Sequence, residues 1–441
     1  MTGWSYDPDL LATPVPRYTS YPTAAEFSDQ VGARDLATAL AAVPSGQPIS
    51  LYAHIPYCHE ICWYCGCNTG AANKTQRLAN YLDTLHDEID LVASRLGGRA
   101  KVKRIAFGGG SPNAITPEQF DALLSKIRGA FGVGKASLSI ELDPRSLTKP
   151  WFEAIGSAGI GRASLGVQTL DSKVQRSIGR IQSEGLIRTA VGELRRAGVH
   201  SLNFDLMYGL PRQGLAELEE TLAATIEMRP ERIALFGYAH VPHLIPRQRR
   251  IDDSNLPDPA LRFAQAELGH HILTHAGYDP IGFDHYALPH DSLSLAARQG
   301  GLRRNFQGFT DDDSVALIGL GASAISQFPG LIAQNEKNSG RYKVRVSSGL
   351  LPATLGILRD VEDQQRGRII EQLLCDGEAE IRDFFGRELM DKLRPFLDQG
   401  LATLERGRLR IPDYGRPYAR VIASLFDGYR QPAARRFSSA I

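Results

Sequence analysis

Two periodicities alternate along the chain. Short runs that are apolar throughout, or apolar at every second position, are separated by longer stretches with apolar residues three and four apart. "ISLYAHI" (49–55) reads as a buried strand. Residues 77–96 read as a helix, with Leu78, Tyr81, Leu82, Leu85, Ile89 and Val92 on one face. "RIAF" (104–107) is a second strand, and Pro117–Phe131 a helix with Thr116 as its N-cap. "SLSIEL", "RASLGV", "SLNFDLMY" and "RIALFGY" continue the strands, with helices over 183–197 and Leu215–Met228 among the segments between them. About six β-then-α units favour a parallel sheet with crossover helices, too few for a full eight-fold barrel. The pattern therefore predicts an α/β fold, an incomplete (β/α)6-type barrel over residues 49–345.

The flanks differ. Residues 1–48 hold Pro8, Pro14, Pro16, Pro22 and Pro44 and one short helical stretch over 33–43, so an irregular N-terminal segment is expected. From 346 to 441 the pattern is mainly helical, interrupted by a short basic strand-like "RGRLRIPD", and predicts a smaller C-terminal domain. No apolar run reaches the roughly 20 residues of a membrane span. The N-terminus has acids and prolines where a signal peptide needs a basic start and an apolar stretch, so a cytoplasmic location is expected. Net charge is +1, which points to neither nucleic acid nor an acidic membrane surface as partner.

Cysteine usage changes the picture. Of five cysteines, Cys58, Cys62, Cys65 and Cys67 fall within "HIPYCHEICWYCGCN", just after the first strand. In a reducing compartment such clustering suggests metal or redox chemistry rather than disulfides. Three thiolates at C-x3-C-x2-C can hold three irons of a 4Fe–4S cube and leave the fourth open. Structural zinc is the competing reading; Cys67, His54 or His59 could supply its fourth ligand, although no second knuckle follows. Cys375 reads as a small apolar filler on a helix. Glu141, Gln168 and Asp205 fall at strand ends, where active sites of β/α barrels lie.

C-x3-C-x2-C after a first strand resembles the signature of the radical S-adenosylmethionine (SAM) enzymes. "PRYTSYPTA", "YAHIPYC", "CGCN", "FGGGSPN", "IELDPRSL", "SLGVQTLD", "NFDLMYGLP", "FGYAHVP", "RNFQGFT", "GLGASAIS" and "LFDGYR" resemble, in order, segments of the oxygen-independent coproporphyrinogen III oxidases of haem biosynthesis. The resemblance implies oxidative decarboxylation of two propionates of coproporphyrinogen III by a 5′-deoxyadenosyl radical, and a 4Fe–4S cluster on Cys58, Cys62 and Cys65. It places SAM against Gly109, Gly110, Ser111, Glu141, Gln168, Arg180 and Asp205, and lines a site for a second SAM with Tyr52, Tyr64, Cys67, Ala239 and Ile325. His54, near the cluster and on the same strand face as Tyr52, is a candidate to tune it. A haem chaperone or another tetrapyrrole-active paralogue is the alternative; "PRYTSYPT" and Cys67 count against the chaperone.

Four substrate carboxylates want cations. Arg17 is the favoured one, on a segment 14–24 expected to fold over the barrel mouth; Arg247, Arg249, Arg250, Arg303 and Arg304 are further candidates. The other implied partner is an unidentified low-potential electron donor such as a flavodoxin or ferredoxin, and a monomer is expected. Two stretches depart from the family pattern: "GRIQ" (179–182) and "DDDSVALIG" (311–319), with Ala316 where an acid is common.

Overall fold

Six parallel strands lie side by side in sequence order: β1 (Pro48–Ile55), β2 (Lys101–Gly109), β3 (Ser137–Leu142), β4 (Arg162–Gln168), β5 (Ser201–Tyr208) and β6 (Arg232–Gly237). They belong to a computed structural model that describes residues 3–72 and 75–430. The ends of the first and last predicted regions, residues 1–2 and 431–441, lie outside the described residues.

Strand alternation sorts the side chains. On β3, Leu138, Ile140 and Leu142 are buried among the core, while Ser139 and Glu141 line the barrel interior. On β5, Leu202, Phe204 and Leu206 join the core, and Asn203 and Asp205 face inward. Helices Thr75–Leu96, Pro117–Phe131, Lys149–Ala158, Glu184–Arg196 and Leu215–Met228 contribute apolar faces to that core. Thr116 caps Pro117–Phe131 through a reciprocal pair with Gln119, as its position predicts.

The sheet continues beyond the six strands. Short strands β7 (Asp279–Ile281) and β8 (His285–Ala287) extend it antiparallel past β6. On the other side β9 (Ala316–Leu320) runs parallel to β1, followed by antiparallel β10 (Ile325–Phe328), β11 (Leu331–Asn335) and β12 (Ala353–Leu358). The order is β12-β11-β10-β9-β1-β2-β3-β4-β5-β6-β8-β7, twelve strands in all. The expected boundary at 345/346 falls before β12, so the sheet reaches further than the periodicity suggested. Next come helices Val361–Cys375 and Arg387–Asp398 and a small three-stranded sheet with Arg408–Arg410 at its centre.

The N-terminal segment is held to the rest of the chain by side-chain bonds and one backbone bridge. The Tyr18 hydroxyl donates to Asp427 at 2.9 Å, the Tyr21 hydroxyl accepts from Gly428 N–H at 2.9 Å, and Ser28 bridges to Gly356. Arg304 secures it most firmly. It is buried, donates to the carbonyls of Arg17 (3.0 Å) and Tyr18 (3.2 Å), and lies over the Phe283 and Phe309 rings. Arg304 thus anchors the segment through Nε and Nη2, while its buried Nη1 has no hydrogen-bond partner among the described residues.

Candidate active site

The turn after β2 carries three glycines because nothing larger fits. A Cβ on Gly109, at φ +118°, would lie 2.2 Å from His54 Cδ2, and one on Gly110 would lie 2.5 Å from the Tyr57 carbonyl oxygen. The turn is held down by Gly110 N–H to Ile55 O and Ser111 N–H to Tyr57 O, each 2.8 Å. Ser111 itself is buried; it hydrogen-bonds Asn113 and accepts from Asp143 N–H at 3.2 Å. Gly109 N–H donates to Glu141 Oε2 at 3.2 Å.

The cysteine loop follows β1. All its cysteines are free thiols; Cys58 and Cys62 are buried, Cys65 partly so, and Cys67 exposed. Burial pushes the Cys58 thiol up to about 11. The Cys67 thiol, its N–H and the charges of Arg247 and Arg180 hold Cys65 low against its burial. Cys62 Sγ accepts from two guanidiniums, Arg180 at 3.3 Å and Arg145 at 3.4 Å. Cations beside a thiol favour the thiolate that iron takes. Among the described residues no three His, Cys, Asp or Glu side chains form a group that could hold a single metal ion. The three sulfurs of C-x3-C-x2-C on one loop, with guanidinium donors, fit an iron–sulfur cube by their donor chemistry.

Asp143 and Arg145 stand against the cysteine loop, a placement that sequence reasoning missed. Arg145 joins Asp143 (2.7 Å), Glu60 (2.7 Å) and Cys62, and Arg180 reaches Asp143 at 3.2 Å. Burial raises the Asp143 carboxyl, but the Arg145 hydrogen bonds and the two arginine charges outweigh it and hold Asp143 below its ordinary value. The only available signal was their place in "IELDPRSL", beside Glu141.

A cavity of about 1040 Å³ fills the barrel. Of the sequence-predicted residues it is lined by Arg17, Tyr52, His54, Cys67, Gly109, Glu141, Asp205 and Ile325. Tyr64, Gly110, Ser111, Gln168, Arg180 and Ala239 are not among its lining residues. Gln248, buried inside the arginine-rich "IPRQRRI", ties two of them by donating to Tyr64 O (2.9 Å) and Ala239 O (3.1 Å). Gln168 ends β4 at φ +64°, a conformation that costs a non-glycine residue on the order of 1 kcal/mol. Arg180 donates to Gly166 O as well as to Asp143, so its present partners are protein groups.

Within the cavity the titratable groups sit in unusual states. Burial raises Glu141 to about 7, with the Asp205 charge adding and Gly109 N–H opposing. Burial also raises Asp205, against hydrogen bonds from Ser164 (2.9 Å) and Asn203 (2.8 Å). Burial lowers His54 to about 4, so the ring is neutral near pH 7; Ala322 O, 2.6 Å away, takes the Nδ1 proton, leaving Nε2 as an acceptor. Tyr52 packs edge-on against Phe306 at 4.8 Å, and Gln307 reaches toward Glu141. Both come from "RNFQGFT", a segment recognised in the sequence without a role. Arg17 enters at the mouth, donating to Gly237 O at 2.5 Å and lying 5.4 Å from the Phe236 ring centroid. Arg247 and Lys337 also line the cavity, Arg250 lies over Trp63, and Arg249 and Arg303 point to solvent.

Comparison with known proteins agrees with this construction. Residues 52–224 match the model of the radical SAM superfamily. The oxygen-independent coproporphyrinogen III oxidase of Bradyrhizobium diazoefficiens is 41% identical over 437 residues, covering 97% of each chain. That of Paracoccus denitrificans is 39% identical, covering 98% of each. The solved coproporphyrinogen III oxidase of Escherichia coli, a radical SAM enzyme, superposes with a TM-score of 0.90 at 35% identity, covering 97% of this chain and 100% of that one. With its cysteine loop after β1, its glycine turn after β2 and likeness along nearly the whole length, this chain belongs to the oxygen-independent coproporphyrinogen III oxidases, radical SAM enzymes that work with a 4Fe–4S cluster and SAM.

Proposed function

We propose that this chain converts the propionates on rings A and B of coproporphyrinogen III to vinyl groups, giving protoporphyrinogen IX. Each propionate loses carbon dioxide, one hydrogen atom and one electron. The observation that carries the reading is a single cavity running from the cysteine loop at Cys67, past the Glu141–Asp205 pair, to the Arg17 guanidinium. It is large enough for a tetrapyrrole arm beside an adenosyl group.

Cys58, Cys62 and Cys65 would hold the cluster, which together with SAM would supply the one-electron chemistry that removes the hydrogen atom. The protein's own work is to bind, orient and exclude water. The backbone carbonyls of Gly109, Gly110 and Ser111 are offered to the SAM amino group, and Arg180 to its carboxylate. Glu141, Gln168 and Asp205 hold ribose hydroxyls; a carboxyl group near 7 both donates and accepts at neutral pH. Tyr52, Tyr64, Cys67, Ala239 and Ile325 surround a second SAM. His54 keeps a neutral Nε2 beside Gly109. Arg17 receives a substrate carboxylate, and the segment it sits on screens the mouth. The radical step needs no protein base. The electron comes from a low-potential protein such as a flavodoxin or ferredoxin, and the chain acts as a cytoplasmic monomer.

The test is an anaerobic assay with reconstituted cluster, SAM and coproporphyrinogen III, following 5′-deoxyadenosine and the divinyl product together. Both should appear. 5′-Deoxyadenosine without vinyl product would keep the superfamily chemistry and refute the substrate.

A further inference from the structure

We infer that the basic depression around Trp63 is the docking site for an acidic protein that delivers single electrons. The inference rests on the proposed function, which draws one electron into the cluster site for each SAM cleaved.

Trp63 follows Cys62 directly and is partly exposed, so an aromatic ring lies one residue from that buried sulfur at the surface. The ring is fixed from both sides. Below it, Gly179 packs so closely that a Cβ there would lie 2.6 Å from the indole. Above it, the Arg250 guanidinium lies 4.8 Å from the ring centroid. Trp63 N–H donates to Ile178 O at 3.1 Å, which joins the cysteine loop to the helix Ser172–Ile178. The indole is therefore held as a rigid, partly exposed bridge between the loop and the outside.

A depression of about 310 Å³ opens beside it, with Lys173, Arg176, Arg212 and Arg250 on its walls. All four are exposed, and among the described residues none of them forms an ion pair. Arginines at the strand ends are paired instead: Arg104 and Arg162 with Asp311, Arg232 with Asp291 and Arg145 with Asp143. The acid in the depression, Asp252, is already engaged by Ser254 and Asn255. A chain of net charge +1 thus gathers four cations, none in an ion pair among the described residues, against the nearby acid Asp252, around the Trp63 ring of the cysteine loop. Such a patch steers an oppositely charged protein and sets its orientation more than its affinity. The step is simple in balance: the bound donor loses one electron, and the cluster site gains it.

The experiment uses reconstituted holoenzyme without substrate, with fully reduced flavodoxin as the acidic probe and dithionite as a small reductant. Cluster reduction is followed anaerobically by absorbance and electron paramagnetic resonance. Reversing the patch with Lys173→Glu, Arg176→Glu and Arg212→Glu together should raise the flavodoxin concentration for half-maximal rate about tenfold and flatten its salt dependence. Reduction by dithionite should not change. If the triple variant does not take up cluster, Lys173→Gln, Arg176→Gln and Arg212→Gln together should show a smaller rise. An unchanged half-saturation with normal dithionite reduction overturns the docking site and leaves the proposed function standing, as does an unaltered enzyme that dithionite reduces but flavodoxin does not. An unaltered enzyme that takes up no cluster overturns both.

Discussion

The two ends of the same six strands are built on opposite principles. At the start of the strands, Arg104 meets Asp311 at 2.6 Å, Arg162 meets it at 3.1 Å, and Arg232 meets Asp291 at 2.8 Å. Ser50 and Ser201 close the set by bonding Asp312 and Asp291. Burial would raise Asp311, but the Arg104 and Arg162 contacts outweigh it and hold that carboxyl far below its ordinary range. At the other end Glu141 and Asp205 have no arginine against them, and burial raises both. Paired charge closes the barrel floor; at the mouth Asp143 is paired with Arg145 and Arg180, while Glu141 and Asp205 make no ion pair among the described residues. Under the proposed function the same residue types serve stability where the protein supplies the counter-ion and binding where it does not.

The contrast can be broken at either end. At the mouth, replacing Cys58, Cys62 or Cys65 by alanine should abolish 5′-deoxyadenosine formation in the anaerobic assay while leaving the far-ultraviolet circular dichroism unchanged. At the floor, Asp311→Asn removes the carboxylate shared by two partly buried guanidiniums, of which Arg104 keeps Asp312, and should cost about 2 kcal/mol of stability in urea unfolding. The Asp311 group titrates below its ordinary value of 3.8 when folded. Its contribution is therefore present at neutral pH and lost as pH falls below 3.8, so the variant's deficit should shrink in acid.

Smaller effects sharpen the comparison. Arg17→Ala should lower kcat/KM for coproporphyrinogen III roughly 10- to 100-fold, the worth of a charged hydrogen bond, with the cluster spectrum unaltered. An unchanged kcat/KM would remove Arg17 from the substrate site. Glu141 has the reverse pH sign. Its folded value, about 7, lies above the ordinary 4.5, so the stability it contributes is complete below 4.5 and lost as pH rises through 7. Glu141→Gln should therefore gain thermal stability relative to the unaltered protein between those limits, while SAM cleavage falls. A melting-temperature difference that stays flat with pH would contradict the burial account of Glu141.

Legibility in the sequence followed the range of the forces involved. β3, β5 and the helices Pro117–Phe131 and Leu215–Met228 match the periodicity to the residue, because strand alternation and helix caps are local. β7 and β8 were invisible. Each is three residues long and is a strand only through its pairing with the sheet edge. β12 was read as the start of the helical domain for the same reason. At the site, the cysteine spacing and the glycine turn were plain. The anchoring role of Arg304 was not legible, since nothing local shows that backbone carbonyls 286 and 287 residues away take its Nε and Nη2. Gln248 was hidden among arginines, and Asp143 beside Glu141, because Tyr64 and Arg180 reach them from loops distant in sequence.

The most direct test of the account is the iron and sulfide content of anaerobically reconstituted protein, compared across single cysteine variants. The account predicts about four irons per chain in the unaltered protein and in Cys67→Ser, and a cluster lost or unstable in Cys58→Ala, Cys62→Ala and Cys65→Ala. Protein that stays colourless and iron-free after reconstitution, or that depends on Cys67 as strongly as on the other three, would contradict it.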